Sequence, residues 1–328
     1  MSSLHKSSVT SISASVERRH LNHQNNKYSI IKTLYKSSTF CIYKAFDKTT
    51  EKEIIIKCES RDNINLEKTI MTSEQPKNII DNERKILEQL REIRYIPKIL
   101  DYYNDHMNNF LVLHYLGKDL EYLLNIKKQF SLGFCAFFMT EVLPILRDIH
   151  QKNVFHCDIK PANFIFNSAE KKIYLIDFSV AQTSSKTRSM VGTPKFCSYN
   201  CHETGCHYSP RDDLLSLGYV LLYFYLGYLP WQKNLFTDSG KHYSLNAIKE
   251  KKGDLLTFLK SQPQFIPDEF NIFFNYCYSL KINDEIDYKM LHLLFMRLLK
   301  KIDYTENRLF LDTQIISRNR ASSDASVY

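Results

Sequence analysis

Glycine is scarce in this sequence, at 8 of 328 residues, and several other features are missing. The N-terminus lacks the apolar core of a signal peptide, so we expect the 8 cysteines to stay reduced inside the cell. No dense run of Lys or Arg is present, and the net charge of +8 therefore favours anionic partners in general over a specific nucleic acid. The uncharged run at 214–231 follows Asp213 and contains Gly218, Gly227 and Pro230, which favours a buried helix over a membrane span.

One group of residues could ligand zinc by residue type: Cys197, Cys201, His202, Cys206 and His207. Zinc modules use two close pairs of ligands separated by a longer loop, and this spacing differs from that pattern. We therefore expect these residues to belong to a loop or a pocket.

The ends of the chain differ in composition from its middle. Residues 1–26 and 312–328 contain few large apolar residues, and we expect both to be disordered tails. The remaining residues, 27–311, are expected to form the folded part.

Within the folded part, the apolar pattern changes once. At 27–115, short apolar runs predict strands, interrupted by one helical segment at 78–93. At 116–311, helical patterns dominate, apart from two short strand-like pieces. The expected fold class is α+β, with a small β-rich lobe followed by a larger α-helical lobe.

The segment FHCDIKPANFIF, residues 155–166, concentrates groups that phosphoryl transfer needs. Asp158 can accept the proton of an attacking hydroxyl, and Lys160 can neutralise charge on the moving phosphoryl group. Asn163 supplies an oxygen of the kind that magnesium prefers, and Asp177, at the end of the strand-like LIDF, offers another. This spacing predicts phosphoryl transfer from ATP.

Two upstream residues complete the set. Lys57 is predicted to end the strand EIIIK, so that its side chain can leave the sheet toward the phosphates. Glu83 lies on the predicted helix of the first lobe and could pair with Lys57. Either residue alone would be read as a solvated charge, but their order relative to Asp158 and Asp177 favours a functional role.

These motifs resemble those of eukaryotic protein kinases, and within that fold the chain most resembles the casein kinase 1 family. HCDIKPANF is similar to the His-Arg-Asp catalytic loop, and DFS at 177–179 is similar to Asp-Phe-Gly. GTPKFCSYN at 192–200 and RDDLLSLGYVLLYFYLGYLPWQ at 211–232 are similar to casein kinase 1 signatures. The resemblance covers residues 28–310 and implies a bilobal kinase fold and a serine/threonine kinase that uses ATP with Mg²⁺, or with Mn²⁺.

The resemblance also implies a role for each candidate residue. Asp158 would be the catalytic acid–base residue and Lys160 its phosphate-facing partner, while Asn163 and Asp177 would ligand the metal. The residues expected around the adenine base are the gatekeeper Leu113, the hinge from His114 to Leu116, and the apolar side chains of Leu34, Ile42, Ile55 and Ile165.

Further roles concern the phosphates and the substrate. Lys57, anchored by Glu83, would hold the α- and β-phosphates, and Asp213 would tie down the catalytic loop. The resemblance implies acidic or already phosphorylated substrate proteins. Lys195 stands where the family has an arginine, so a cation remains for substrate binding but the bidentate phosphate contact is lost. The resemblance further implies a monomer in the cytoplasm or the nucleus.

Some positions depart from the family pattern. Tyr35, Ser37 and Phe40 occupy the glycine positions of the phosphate-covering loop, where side chains should hinder a close approach of the backbone. Ile55 replaces an alanine and should narrow the nucleotide slot, at a cost of about 1–3 kcal/mol. Cys157 replaces an arginine, which predicts an enzyme that activation-loop phosphorylation does not switch on.

The charged groups that phosphoryl transfer requires are nevertheless present. We therefore expect an active protein kinase. The alternative is a pseudokinase scaffold with weak or no phosphoryl transfer, since the glycine-rich loop is absent.

Overall fold

A computed structural model describes the central part of the chain. The described residues are 27–37, 39–61, 78–183, 187–188, 192–203, 205–232, 245–262 and 266–305. The predicted tails lie outside these residues. The described chain forms two compact units: the residues up to Glu88 with Pro97–Tyr115 make the first, and Gln89–Ile96 with the residues from Leu116 onward make the second.

The first unit is an antiparallel sheet with one helix. Its elements are β1 (Tyr28–Lys36), β2 (Phe40–Asp47), β3 (Lys52–Ser60), α1 (Ile79–Gln89), β4 (Ile99–Asn104) and β5 (Asn108–His114). The strand order is β1-β2-β3-β5-β4. The sequence did not predict β4, because Asp101 and Asn104 interrupt its apolar pattern. This strand lies at the edge of the sheet, where such polar residues are common.

The alternation of β3 separates two kinds of side chain. Ile54 and Ile56 are buried on one face, in a core that also contains Tyr28, Tyr43, Ala45, Phe110 and Val112. Ile55 and Lys57 point to the other face. The prediction that Lys57 ends its strand is wrong, because β3 continues to Ser60 through pairing with β5. Lys57 therefore lies within the sheet and extends from its face.

The second unit is mainly helical. Its helices are α2 (Leu120–Lys127), α3 (Leu132–Gln151), α4 (Pro210–Leu226), α5 (Leu245–Gly253), α6 (Leu255–Ser261), α7 (Asp268–Ser279) and α8 (Tyr288–Lys301). Its short strands are β6 (Phe164–Asn167), β7 (Lys172–Leu175), β8 (Thr187–Arg188) and β9 (Cys206–His207). The strands form two antiparallel pairs, β6 with β7 and β8 with β9.

Helix α4 is the buried helix that the sequence predicted, but it begins earlier, at Pro210. Ser209 and Asp212 form a capping box that fixes this start, and Pro210 occupies the first turn, where its missing N–H costs nothing. Among the described residues, no helix is long and apolar enough to cross a membrane. The early start places Asp212 and Asp213 inside the first helical turn.

The segment after α1 belongs to the second unit. The side chain of Gln89 donates to the Lys152 carbonyl oxygen at 2.7 Å, and the Tyr95 carbonyl oxygen accepts from the Leu175 amide at 3.0 Å. These contacts explain why α1 stops at Gln89, whereas the periodicity extended the predicted helix to residue 93.

Candidate active site

The carboxylate of Asp158, in the second unit, is held through both oxygens. Its Oδ1 accepts hydrogen bonds from the Thr193 amide at 2.9 Å and from the Thr193 hydroxyl at 2.8 Å. Its Oδ2 lies 2.6 Å from the Nζ atom of Lys160. The Lys160 ammonium also donates to the Thr193 hydroxyl at 3.3 Å. The structure thus brings the predicted Asp158 and Lys160 together and adds Thr193.

Thr193 reaches this position because the residue before it is glycine. Gly192 has φ +87°, and a Cβ atom there would lie 2.4 Å from the Cys157 carbonyl oxygen. Only a residue without a side chain allows this close approach. The sequence contains the signal, a Gly-Thr pair, but Thr193 is 35 residues from Asp158, so the contact could not be inferred from spacing.

The backbone of the catalytic loop is tied to the start of α4. The carboxylate of Asp213 accepts from the amides of His156 at 2.7 Å and Cys157 at 2.9 Å. It also bonds to His150 Nε2 at 2.9 Å and accepts from the Tyr208 hydroxyl at 2.7 Å. Burial raises the pKa of Asp213, but the hydrogen bond and charge of His150 outweigh burial and hold the pKa below its ordinary value. This carboxylate therefore stays ionised and fixes the loop.

Asn163 and Asp177 lie at one end of the β6–β7 hairpin. Asn163 immediately precedes β6, Asp177 closely follows β7, and the Ile176 amide donates to the Asn163 carbonyl oxygen at 2.9 Å. The Asn163 side-chain nitrogen donates to the Asp158 carbonyl oxygen at 2.8 Å, so the amide oxygen is the atom suited to a cation. Asp177 has φ +67°, a strained conformation of a kind often found at functional sites.

The first unit holds a buried ion pair. Lys57 Nζ lies 2.8 Å from Glu83 Oε1 and 2.7 Å from Oε2, and these residues are 6% and 0% exposed. The carboxylate of Glu59 accepts from the amides of Ile79 and Ile80, at the first turn of α1. Helix α1 is therefore attached to β3 at two points, and one of them orients the predicted phosphate-binding lysine.

Three of the predicted adenine-lining residues share the sheet face of Lys57. Ile42 pairs with Lys57 across β2 and β3, and Ile55 pairs with Leu113 across β3 and β5. Residues directly opposite each other in an antiparallel pair project to the same face. Leu34 falls in the register shift between Thr33 and Tyr35 of β1 and is 47% exposed.

The remaining predicted base contacts are divided between the two units. His114 ends β5 and is exposed, in the first unit. In the second unit, Leu116 is half-buried, and Ile165 is buried in β6. Gly117 brings the chain close to Ile165, since a Cβ atom at Gly117 would lie 3.5 Å from Ile165 Cγ2.

The loop that replaces the glycine-rich segment is closed by Ser37. The Ser37 hydroxyl accepts from the Phe40 amide at 3.0 Å, and the Ser37 amide donates to the Phe40 carbonyl oxygen at 2.8 Å. Tyr35 pairs with Ile42 and Phe40 pairs with Glu59, which places both aromatic rings on the Lys57 face. Their centroids are 6.4 Å apart. The rings thus lie on the face where the sequence predicted a steric obstacle.

Lys195, the predicted substrate-binding residue, packs on aromatic rings. Its Nζ lies 3.5 Å from the centroid of Tyr223 and 5.2 Å from that of Phe196. Burial lowers the pKa of Lys195 to about 8, so the side chain still carries its proton at neutral pH.

Two of the five residues that could ligand zinc by residue type belong to a partly apolar cluster. Cys197 and Cys201 pack with Phe155, Cys157 and Tyr208. Within the described part of the chain, no group of three or more His, Cys, Asp or Glu side chains is arranged to hold a metal ion. Cys157 is buried, and its sulfur lies 3.4 Å from the Phe155 carbonyl oxygen.

A family model for the protein kinase domain matches residues 28–289. The match covers most of the chain, and the chain belongs to the protein kinase family. The expected α+β bilobal kinase fold is confirmed, with a β-sheet region followed by a helical region. Membership supports protein phosphorylation as the general activity, with ATP and a divalent metal ion.

The residues present fit these two groups. Asn163 and Asp177 offer hard oxygen atoms, which divalent cations such as Mg²⁺ prefer. Lys57 offers a cation for phosphate oxygens, held by a carboxylate on α1.

Proposed function

We propose that this chain is a serine/threonine protein kinase of the casein kinase 1 type. It would transfer the γ-phosphate of ATP to hydroxyl groups of proteins. The observation that carries the proposal is the carboxylate of Asp158, which Thr193 and Lys160 hold in a fixed position. A fixed, partly exposed carboxylate is what a hydroxyl nucleophile needs as its proton acceptor.

Each side chain has a separate task in this proposal. Asp158 orients the substrate hydroxyl and accepts its proton. Lys160, beside it, places a positive charge where negative charge develops on the transferred group. Lys57 binds phosphate oxygens. Asn163 and Asp177 would hold the divalent metal ion, which neutralises phosphate charge when bound.

Specificity for serine and threonine rests on two features. The casein kinase 1 family resemblance implies it, and Lys160, two residues after Asp158, follows the pattern of serine/threonine kinases.

Acidic or already phosphorylated proteins are the proposed substrates. Lys195 keeps a positive charge at neutral pH, and its packing on Tyr223 restricts its movement. A lysine offers a point charge, whereas the family arginine offers a bidentate contact. We therefore expect a weaker preference for phosphorylated substrates than the family shows.

The test measures phosphate incorporation into a peptide mixture that offers Ser, Thr and Tyr acceptors. The wild type should label Ser and Thr, and Asp158→Asn should reduce the rate by about 10²–10⁴-fold because the proton acceptor is lost. Asp148→Asn, at a partly exposed position on α3, is the matched control and should keep wild-type activity. Labelling of Tyr, or an equal rate in Asp158→Asn, would contradict the proposal.

The second candidate is a pseudokinase scaffold, favoured by one observation. The rings of Tyr35 and Phe40 lie on the sheet face that carries Lys57. In that case a correctly folded wild type would show no transfer with Mg²⁺ or Mn²⁺, and Asp158→Asn would have no activity to lose.

A further inference from the structure

Four cysteines lie in or against one cluster beside the catalytic loop. Cys157, Cys197 and Cys201 are buried members of this cluster, and Cys206 packs against it with partial exposure. Cys197, Cys201 and Cys206 are free thiols. The proposed phosphoryl transfer uses none of them.

Two of these thiols are already close together. The sulfur atoms of Cys201 and Cys206 are 3.9 Å apart. Cys201 lies in the 3₁₀ turn Tyr199–His202, and Cys206 begins β9. A disulfide has a sulfur–sulfur distance of about 2.05 Å, so a small approach of the two side chains would bring them into bonding range.

The two thiols differ in pKa and in exposure to solvent, as the two members of a reactive thiol pair do. The hydrogen bond with Cys201 lowers the pKa of Cys206, although burial acts in the opposite direction. The same hydrogen bond and burial raise the pKa of Cys201. Cys206 is also the more exposed of the two, while Cys201 is 1% exposed. A partly exposed thiol of lowered pKa beside a second thiol is the arrangement found in redox-sensing cysteines.

We propose that Cys201 and Cys206 form a reversible oxidation site for hydrogen peroxide. The Cys206 thiolate attacks one peroxide oxygen, the O–O bond breaks, and the released hydroxide takes up a proton to become water. The resulting sulfenic acid on Cys206 is then attacked by the Cys201 sulfur. The S–S bond forms, and the sulfenic hydroxyl leaves with the Cys201 proton as a second water. Peroxide is reduced, and the two thiols together lose two electrons.

A disulfide at this site would disturb groups that hold the catalytic loop. The Cys201 sulfur lies 3.3 Å from the Ser198 hydroxyl, which donates to Asp212 Oδ1 at 2.5 Å. Asp212 precedes Asp213, the carboxylate that accepts hydrogen bonds from the amides of His156 and Cys157. Moving the Cys201 sulfur toward Cys206 breaks its contact with Ser198. We therefore expect oxidation to slow phosphoryl transfer. This effect on catalysis rests on the proposed function, but formation of the disulfide does not depend on it.

The site can be tested without any activity measurement. The reduced full chain is treated with hydrogen peroxide, alkylated, and digested with trypsin, which releases residues 196–211 as one peptide. The expected peptide has lost two hydrogens and is alkylated only at Cys197. Cleavage after Glu203 should leave two fragments that separate only on reduction, because Glu203 lies between Cys201 and Cys206.

Matched variants complete the test. Cys206→Ser should abolish the disulfide, and Cys41→Ser, which changes a partly exposed cysteine of the first unit, should leave it intact. Three outcomes would each overturn the proposed oxidation site, whether or not the chain phosphorylates proteins. They are full alkylation of Cys206 after peroxide treatment, a disulfide that involves Cys197, and irreversible oxidation of Cys206.

The coupling to catalysis needs a second readout. Peroxide should lower peptide phosphorylation by about tenfold in the wild type, and dithiothreitol should restore it. Cys206→Ser should keep its activity in peroxide. If the disulfide form phosphorylated peptides at an unchanged rate, the proposed effect of oxidation on catalysis would be contradicted. Whether the disulfide between Cys201 and Cys206 forms is decided by the peptide masses alone.

Discussion

At the scale of single residues, the site depends on groups that restrain other groups. Thr193 binds Asp158 through its amide and its hydroxyl, and Asp213 binds the backbone on the other side of the same loop. Cys157 adopts φ +66°, so its backbone conformation is strained and must be held by these contacts. The position of Asp158 therefore depends on residues outside the catalytic motif as well as on Lys160 within it.

Removing the Thr193 hydroxyl should reduce turnover. Thr193→Val keeps the amide bond to Asp158 but loses the hydroxyl bond, and a hydrogen bond to a charged group is worth about 1.5–3 kcal/mol. We expect kcat to fall by about tenfold or more, with little change in KM for ATP. Thr193→Ser keeps the hydroxyl and is the matched control. Equal kcat values for the two variants, measured with a peptide substrate, would show that the hydroxyl does not position Asp158.

Lys252 is a second restraining residue that the sequence did not reveal. It is fully buried on α5, and its Nζ donates to the carbonyl oxygens of Pro194 at 2.8 Å and Cys197 at 2.5 Å. His202 Nε2 lies 3.1 Å away, and the rings of Tyr219 and Trp231 complete the surroundings. Burial lowers the pKa of Lys252 to about 8. This ammonium fixes the segment that follows Thr193.

The lowered pKa of Lys252 predicts a specific pH dependence of stability. The folded state binds this proton less tightly than the unfolded chain, so between about pH 8 and the ordinary lysine pKa the unfolded state holds more protons. The free energy of unfolding should therefore rise with pH in this window, and the contribution of Lys252 should be lost as the pH falls toward 8.

Denaturant unfolding of the wild type and of Lys252→Met, between about pH 7 and about pH 9.5, measures this effect. The difference in unfolding free energy, wild type minus variant, should increase by about 2 kcal/mol toward the alkaline end. Lys251→Met, at an exposed neighbour, should show no such trend. A difference that is flat or falls with pH would show that Lys252 is not a buried cation.

At the scale of secondary-structure elements, β3 and α1 are joined by side-chain contacts at two points. Glu59 binds the first turn of α1, and Lys57 binds Glu83 in the middle of the helix. The pairing of Lys57 with Glu83 was predictable, because each lies on an element that the apolar pattern identifies. The role of Glu59 was not predictable, since it depends on where α1 begins.

Breaking the buried ion pair should destabilise the first unit. Glu83→Gln leaves the Lys57 charge buried without its counter-ion, which typically costs about 3–5 kcal/mol. Glu88→Gln, on the same helix, breaks an exposed pair with Arg84 and should cost less than about 1 kcal/mol. Replacing both buried partners, with Lys57→Met and Glu83→Leu, should recover most of the loss. Denaturant unfolding measures all three, and equal values for Glu83→Gln and Glu88→Gln would refute a buried pair.

The loop between β1 and β2 contains no glycine. Its shape depends on Ser37, and the rings of Tyr35 and Phe40 lie on the Lys57 face. Tyr35→Gly combined with Phe40→Gly should therefore raise affinity for ADP by about tenfold, since relief of overpacking of about 1–3 kcal/mol has that effect. Ile31→Gly, at an exposed position of β1, controls for the flexibility that glycine adds. Calorimetric titration that finds no gain would show that the rings do not obstruct the nucleotide.

At the scale of the whole molecule, the sequence predicted the elements better than the contacts between distant segments. Most strands and the long helices carry clear apolar periods. The exceptions are β4, whose polar residues suit an edge strand, and the two-residue strands β8 and β9. Thr193 and Lys252 were missed because their partners are 35 and 55 residues away. In the run KEKKG, nothing distinguishes the buried Lys252 from the exposed Lys251.

The central claim is that this chain transfers phosphate although its loop contains no glycine. The most direct test is magnesium-dependent transfer of labelled γ-phosphate from ATP to casein, with Asp177→Asn measured in parallel. We predict clear transfer by the wild type and its loss in Asp177→Asn, because that carboxylate would hold the metal ion. A correctly folded wild type that transfers no phosphate with Mg²⁺ or Mn²⁺ would contradict the account and identify the chain as a scaffold.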